Sequence, residues 1–161
     1  MFLTAVSFPK IVLAVHVLAV VGALGVVVGY PVIALAAARL DRRSMPLLHR
    51  VRVIVGRTLV NPGLLVVVIA GVYLASHGHD WSHFYVQWGI GAAVVIGGLE
   101  GSVVIRQEQR LAELASRDID AAGAGEVEWS GDYVAVRGRA DLVGRAMALL
   151  VAVTVVVMTL Q

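Results

Sequence analysis

The sequence predicts an all-α fold, an antiparallel four-helix transmembrane bundle with both termini on the outer face. Three observations lead there. The 161 residues are 59% hydrophobic and 15% charged, with a mean hydropathy of +0.86, whereas a soluble domain carries roughly 25% charged residues. Four apolar runs each approach the roughly 20 residues that a helix needs to cross a bilayer. Arginines crowd two of the three connections and are missing from the third. The chain reads as one membrane domain over residues 1–161, with the lipid bilayer as its solvent and first partner.

The first run covers roughly residues 11–38 and is long enough to tilt or to project beyond the membrane. Lys10, the only lysine, follows Phe8-Pro9, and no cationic stretch precedes it. The run is therefore read as a span rather than a cleaved signal peptide. The second run covers roughly 59–76, the third 84–105 and the fourth 142–160. Pro31 and Pro62 stand near span ends, where they mark kinks or helix starts. Gly22, Gly25 and Gly29 in the first span, and Gly97, Gly98 and Gly101 in the third, are read as faces where small residues let helices approach in lipid.

The connections set the orientation. Arg39, Arg42, Arg43, Arg50, Arg52 and Arg57 separate spans one and two. Arg106, Arg110, Arg117, Arg137 and Arg139 lie between spans three and four, with Arg145 just inside the last. The short connection from His77 to His83 has neither lysine nor arginine. The positive-inside rule then puts both arginine connections in the cytoplasm, and both termini outside. This is the pattern expected of a multi-pass protein of the cell inner (plasma) membrane. Trp81, Tyr85 and Trp88 fall at the outer interface, where amphipathic rings belong. The basicity, with a pI near 9.4, is an orientation signal, not a nucleic-acid footprint, and no nucleic-acid partner is expected.

The cytoplasmic connection, 106–141, is the one soluble-looking stretch. Gln107 to Ser116 continues span three as a polar helix, and Ala121-Ala122-Gly123-Ala124-Gly125 breaks it. Val127 to Tyr133 is expected to form a short turn, or to lie on the membrane surface through Trp129 and Tyr133.

Chemistry is sought where polar groups enter the apolar runs. His16 lies about 8 Å below the outer edge of span one at 1.5 Å per residue. A polar side chain in hydrocarbon is by default a functional hypothesis. It is read as an axial ligand to haem or a ligand to a metal, against the plainer role of an interhelical hydrogen bonder. His77, His79, Asp80 and His83 crowd the outer connection on the same side, with ligand types that suit copper or zinc. His77 and His83 are read as second haem ligands, and all four residues with His16 as a metal set. The chain has no cysteine, so thiolate sites and disulfides are excluded, while non-covalent haem needs none. Glu100, the only acid inside a span, is expected toward the cytoplasmic side, either in a structural ion pair with Arg57 or as a proton-carrying carboxylate.

The residues Val15-His16-Val17-Leu18-Ala19 with Gly22 and Gly25, Arg57 with Asn61-Pro62-Gly63, Gly71-Val72-Tyr73-Leu74, and Tyr133, Arg137 and Arg139 leading into Gly144 give the chain a family likeness. It resembles an uncharacterised family of four-span bacterial membrane proteins similar to the copper-resistance D and membrane protoporphyrinogen oxidase group. The resemblance covers most of the chain and implies haem b at the position of His16. Two other functions remain open. One is a small homo-oligomeric transporter or channel with Glu100 as coupling carboxylate. The other is an accessory subunit docked on a larger membrane-protein complex.

Overall fold

In the computed structural model, which describes residues 7–37, 39 and 41–160, four helices are long and apolar enough to cross a membrane. No strand is formed among the described residues. The first helix is α1, Phe8–Ala37. A second continuous helix runs from Arg42 to Gly78 and comprises α2, Met45–Val55, a π-helical segment Gly56–Val60, and α3, Asn61–Gly78. The third, Phe84 to Ala122, comprises α4, Phe84–Leu99, a second π segment Glu100–Val104, and α5, Ile105–Ala122. The fourth is α6, Gly131–Thr159. Ala38, where the first predicted run ends, lies outside the described residues.

These helices outrun the apolar stretches. The arginine-bearing segment before span two, read from sequence as a connection, is mostly helix: Met45–Val55 is helical with Pro46 in the first turn, where a missing N–H costs nothing. Pro31, in contrast, lies inside α1. Pro62 stands two residues beyond the end of the first π segment. It has no N–H to give the carbonyl four residues back, and the Asn61 N–H bonds instead to Gly56, five residues back. This wider turn lets one helix pass through a proline without breaking.

Helix α1 packs on α3 and α6, and α4 packs on the same two helices, while α2 packs on α5. Two cores result. The first joins Ala23, Leu24 and Val27 with Val60, Leu64, Ile96, Met147 and Val151. The second joins Ala37, Met45, Leu111, Leu114, Ala115 and Tyr133, with Trp129 packed against it. The surface around the first core stays apolar: Leu18 is 72% exposed, and Val32, Leu65 and Leu149 are similar. Such a belt is far larger than a soluble monomer exposes, and hydrocarbon is the solvent that suits it.

Packing in lipid relies on close approach rather than on water expulsion. The contact is made at Gly63, where an added Cβ would lie 2.8 Å from the Ala23 Cβ. Gly22, Gly25, Gly29 and Gly98 make no such contact within the chain: an added Cβ at each would meet nothing within 4 Å among the described residues. Of the six glycines expected to pack, Gly97, against Leu64, and Gly101, against Asn61, have a neighbour at ordinary contact distance.

The stretch between α5 and α6 is latched by arginine. Helix α5 ends at Ala122, and Gly123 takes a positive φ of 56°, a conformation glycine adopts at no steric cost. Arg43 Nη2 donates to the Gly123 and Gly125 carbonyls at 2.8 Å each, and Arg42 Nη1 donates to the Val127 carbonyl. Cations at a helix C-terminus satisfy carbonyls left without intrahelical partners. Ser130 then caps α6, accepting from the Tyr133 amide, while its own amide and hydroxyl donate to Asp118 Oδ2. Trp129 and Tyr133 stack with centroids 4.3 Å apart. Tyr133 belongs to the second core and Trp129 packs against it.

Candidate functional site

The polar side chains gather at the two ends of the bundle, here called the histidine end and the arginine end. At the histidine end His16 Nδ1 donates to the Val67 carbonyl at 3.1 Å. The acceptor is a backbone oxygen, so the ring proton sits on Nδ1 and Nε2 keeps its lone pair. Among the described residues nothing hydrogen-bonds Nε2. Gly71 makes the room, with an added Cβ there reaching His16 Cε1 at 3.4 Å. His16 lines an apolar cavity of about 450 Å³ between α1, α3, α4 and α6. Thr154, Met158 and Tyr85 line the same space. Trp88 Nε1 donates to Thr154 at 3.2 Å and ties α4 to α6 there.

The outer-connection histidines do not join His16. Among the described residues no group of three or more histidine and acidic side chains is placed to hold a metal ion. His77 stacks on Tyr73 at 5.9 Å. His79 takes a left-handed backbone, φ 60°, and caps α3 with its N–H on the Ala75 carbonyl, the usual way a helix stops when no glycine is in place. His83 Nδ1 donates to the Asp80 carbonyl at 3.2 Å. The three histidines thus serve stacking, capping and turn contacts, and His83 Nδ1 also lies 3.7 Å from Asp80 Oδ1. Asp80 alone of the four shares the cavity with His16.

At the arginine end a buried network runs from the second core into the apolar part of the bundle. His49 Nδ1 donates to Glu108 Oε2 at 2.6 Å, and its Nε2 lies 3.1 Å from the Tyr133 hydroxyl. Glu108 Oε1 accepts from Arg52 Nη1 at 2.8 Å. Arg52 Nη2 donates to the Tyr30 carbonyl at 3.0 Å, and the guanidinium lies 5.0 Å from the Tyr30 ring centroid. The Tyr30 hydroxyl donates to Glu100 Oε1 at 3.1 Å. Glu100 is fully buried, and its Oε2 has no partner among the described residues. Asn61 Oδ1 is orphaned too.

Glu100 opens the second π segment, and Gly56, which opens the first, lies against it: an added Cβ there would come within 2.7 Å of Glu100 Oε1. Single π turns recur at functional sites because they displace one side chain from the helical register. The pairing of Glu100 with Arg57 is not formed. Arg57 is exposed, and Arg52, one helical turn and a residue earlier, supplies the buried cation.

Sequence reasoning missed His49, Arg52, Glu108, Tyr30 and Tyr133. A signal existed for two. Glu108 falls in the stripe Ile105, Glu108, Leu111, Ala112, Ala115, which is the buried face of α5, and His49 follows the buried Met45 by four residues. A titratable group on an apolar stripe has a buried partner as its simplest explanation.

The two ends are separate. His16 and Tyr30 are about 21 Å apart along α1. Ala23, Leu24 and Val27 fill the interval with Leu64 and Ile96 from the facing helices. Compared with family models, with characterised proteins and with solved structures, the chain gives no match.

Proposed function

We propose that the chain is a multi-pass membrane protein that holds haem b in the cavity at the histidine end, where His16 would be the residue that ligates it. The observation that carries this reading is the Nδ1–Val67 hydrogen bond beside an apolar cavity. Metal-ligating histidines commonly donate their second ring nitrogen to a carbonyl, which fixes the tautomer and aims the other nitrogen. A cavity of about 450 Å³ lies within the size range of cofactor sites. Haem would supply one-electron chemistry there. Val67 would orient the imidazole, Gly71 would leave it room, and the surrounding valines and leucines would exclude water. A copper or zinc centre built from His77, His79, Asp80 and His83 has no such support, since no three of these side chains are placed to hold an ion among the described residues.

The order of contacts supports the antiparallel reading. Along α1, His16, then Ala23, meet Val67 and Gly71, then Gly63, on α3. The positive-inside rule supports an orientation with the histidine end and both termini outside the cytoplasm. Reporter fusions at the C-terminus test it: periplasmic activity is expected, and cytoplasmic activity would overturn it.

The cofactor is tested by a visible spectrum of protein purified after expression with haem supply. A Soret band in the wild type that is lost in His16→Ala, with the mutant still inserted, is the expected result. A wild type without the band, or a mutant that keeps it, ends this reading.

A second reading rests on the unpartnered Glu100 Oε2: a carboxyl that takes up and gives back a proton at the arginine end. The apolar layer between the two ends argues against a conducting path through one chain. Proton flux in proteoliposomes that falls in Glu100→Gln would support a pathway formed by several copies. Flux that is absent, or unchanged in the mutant, would remove it.

A further inference from the structure

We propose that a second cavity, at the arginine end, binds the phosphodiester headgroup of an anionic phospholipid. This cavity, also about 450 Å³, is bounded by α1, α2, α5 and α6 and does not touch His16. Arg52, Arg137 and Arg145 line it, as do Glu108 and Asp141. Two of the three cations are already engaged: Arg52 with Glu108 at 2.8 Å, and Arg137 with Asp141 at 4.0 Å. Arg145 forms no ion pair among the described residues. The wall thus carries one uncompensated positive charge, the complement of a phosphodiester with its single negative charge.

Arg145 supplies the donors: it lines the cavity and forms no ion pair among the described residues, and guanidinium groups suit phosphate geometry.

The level of the cavity points to a lipid rather than a free anion. On α6 it spans Arg137 to Arg145, where the helix passes from polar sequence to the apolar run beyond Met147. On α1 it is bordered by Pro31 and by Leu35, which is 71% exposed. A headgroup held here would lay its acyl chains along that exposed apolar rim. Basic pockets between transmembrane helices are the usual form of such sites. Gly144 leaves the space open, as an added Cβ would meet nothing within 4 Å.

The test uses the purified full chain in detergent, delipidated, with thermal unfolding and native mass spectrometry as readouts. Phosphatidylglycerol is expected to raise Tm and to stay bound in the gas phase, while phosphatidylcholine and inorganic phosphate leave Tm unchanged. Arg145→Gln, an exposed position, should weaken phosphatidylglycerol binding by about fivefold to tenfold. Gly144→Phe should abolish it by filling the cavity, and if that variant does not fold, Arg145→Gln decides alone. Equal stabilisation by both lipids, or unchanged binding in Arg145→Gln, would overturn the site. A shift with inorganic phosphate as large as that with phosphatidylglycerol would overturn the lipid assignment and make this a free-anion site.

Discussion

At the scale of single residues the arginine end depends on Glu108, whose two oxygens hold His49 and Arg52 at once. Glu108→Ala removes the shared acceptor and leaves both partners buried. Breaking a buried pair in this way costs about 3–5 kcal/mol. Denaturant unfolding in detergent should show a loss in that range, and a loss under about 1 kcal/mol, the ceiling for surface pairs, would mean that the network is solvated. Asp118 offers a test by pH. Burial alone would raise its carboxyl, but the hydrogen bonds from the Ser130 amide and hydroxyl and from Arg117 outweigh burial and hold it below the ordinary carboxylate value. A depressed folded value contributes stability that is present in full above the unfolded value of 3.8 and is lost as pH falls through the folded one. The stability difference between wild type and Asp118→Asn should therefore be constant near neutrality and vanish in acid. A difference that persists below the folded value would show that the contact does not depend on charge. From sequence, Glu100 was legible because an acid in an apolar run stands out. Glu108 and His49 were harder to see: each lies on an apolar stripe, but the arginines beside them (Arg106 and Arg110, Arg50 and Arg52) make the segments read as solvated.

At the scale of elements, the apolar runs located the spans but not the helices. Helix α2 was hidden because its arginines read as a connection, although its Met45-His49 stripe faces α5. Glycine spacing misled for a related reason. Any triplet at helical intervals makes a smooth face, but a face packs only if another helix reaches it, and sequence does not say which one does. The structure makes the contrast measurable. Gly63→Ala should destabilise the bundle, because its Cβ would meet the Ala23 Cβ at 2.8 Å and overpacking costs about 1–3 kcal/mol. Gly22→Ala has open space and should be neutral or slightly stabilising, since alanine is the better helix former. If the two variants unfold at the same denaturant concentration, the close approach of α1 and α3 at Gly63 is wrong.

At the scale of the whole molecule, the arginines have two separate duties, and only one of them is visible in a sequence. Their placement in two connections is the orientation signal, and it depends on number rather than on contacts. Their second duty is structural: Arg42 and Arg43 hold the carbonyls of Gly123, Gly125 and Val127 and so join the start of the second long helix to the end of the third. The double variant Arg42→Ala, Arg43→Ala separates the two. The remaining arginines of the same connections keep the charge asymmetry, so the spans should insert in the same direction, as read by a C-terminal reporter. The segment from Gly123 to Ser130 should lose its anchor at one end while Asp118 still holds Ser130 at the other. Amide exchange should then rise over residues 123–127 and change little in α6, because opening free energies are local when few contacts tie a segment down. Unchanged exchange over 123–127 would show that the latch contributes nothing. Inverted reporter activity would show instead that these two residues, rather than the whole set of arginines, decide which way the bundle faces.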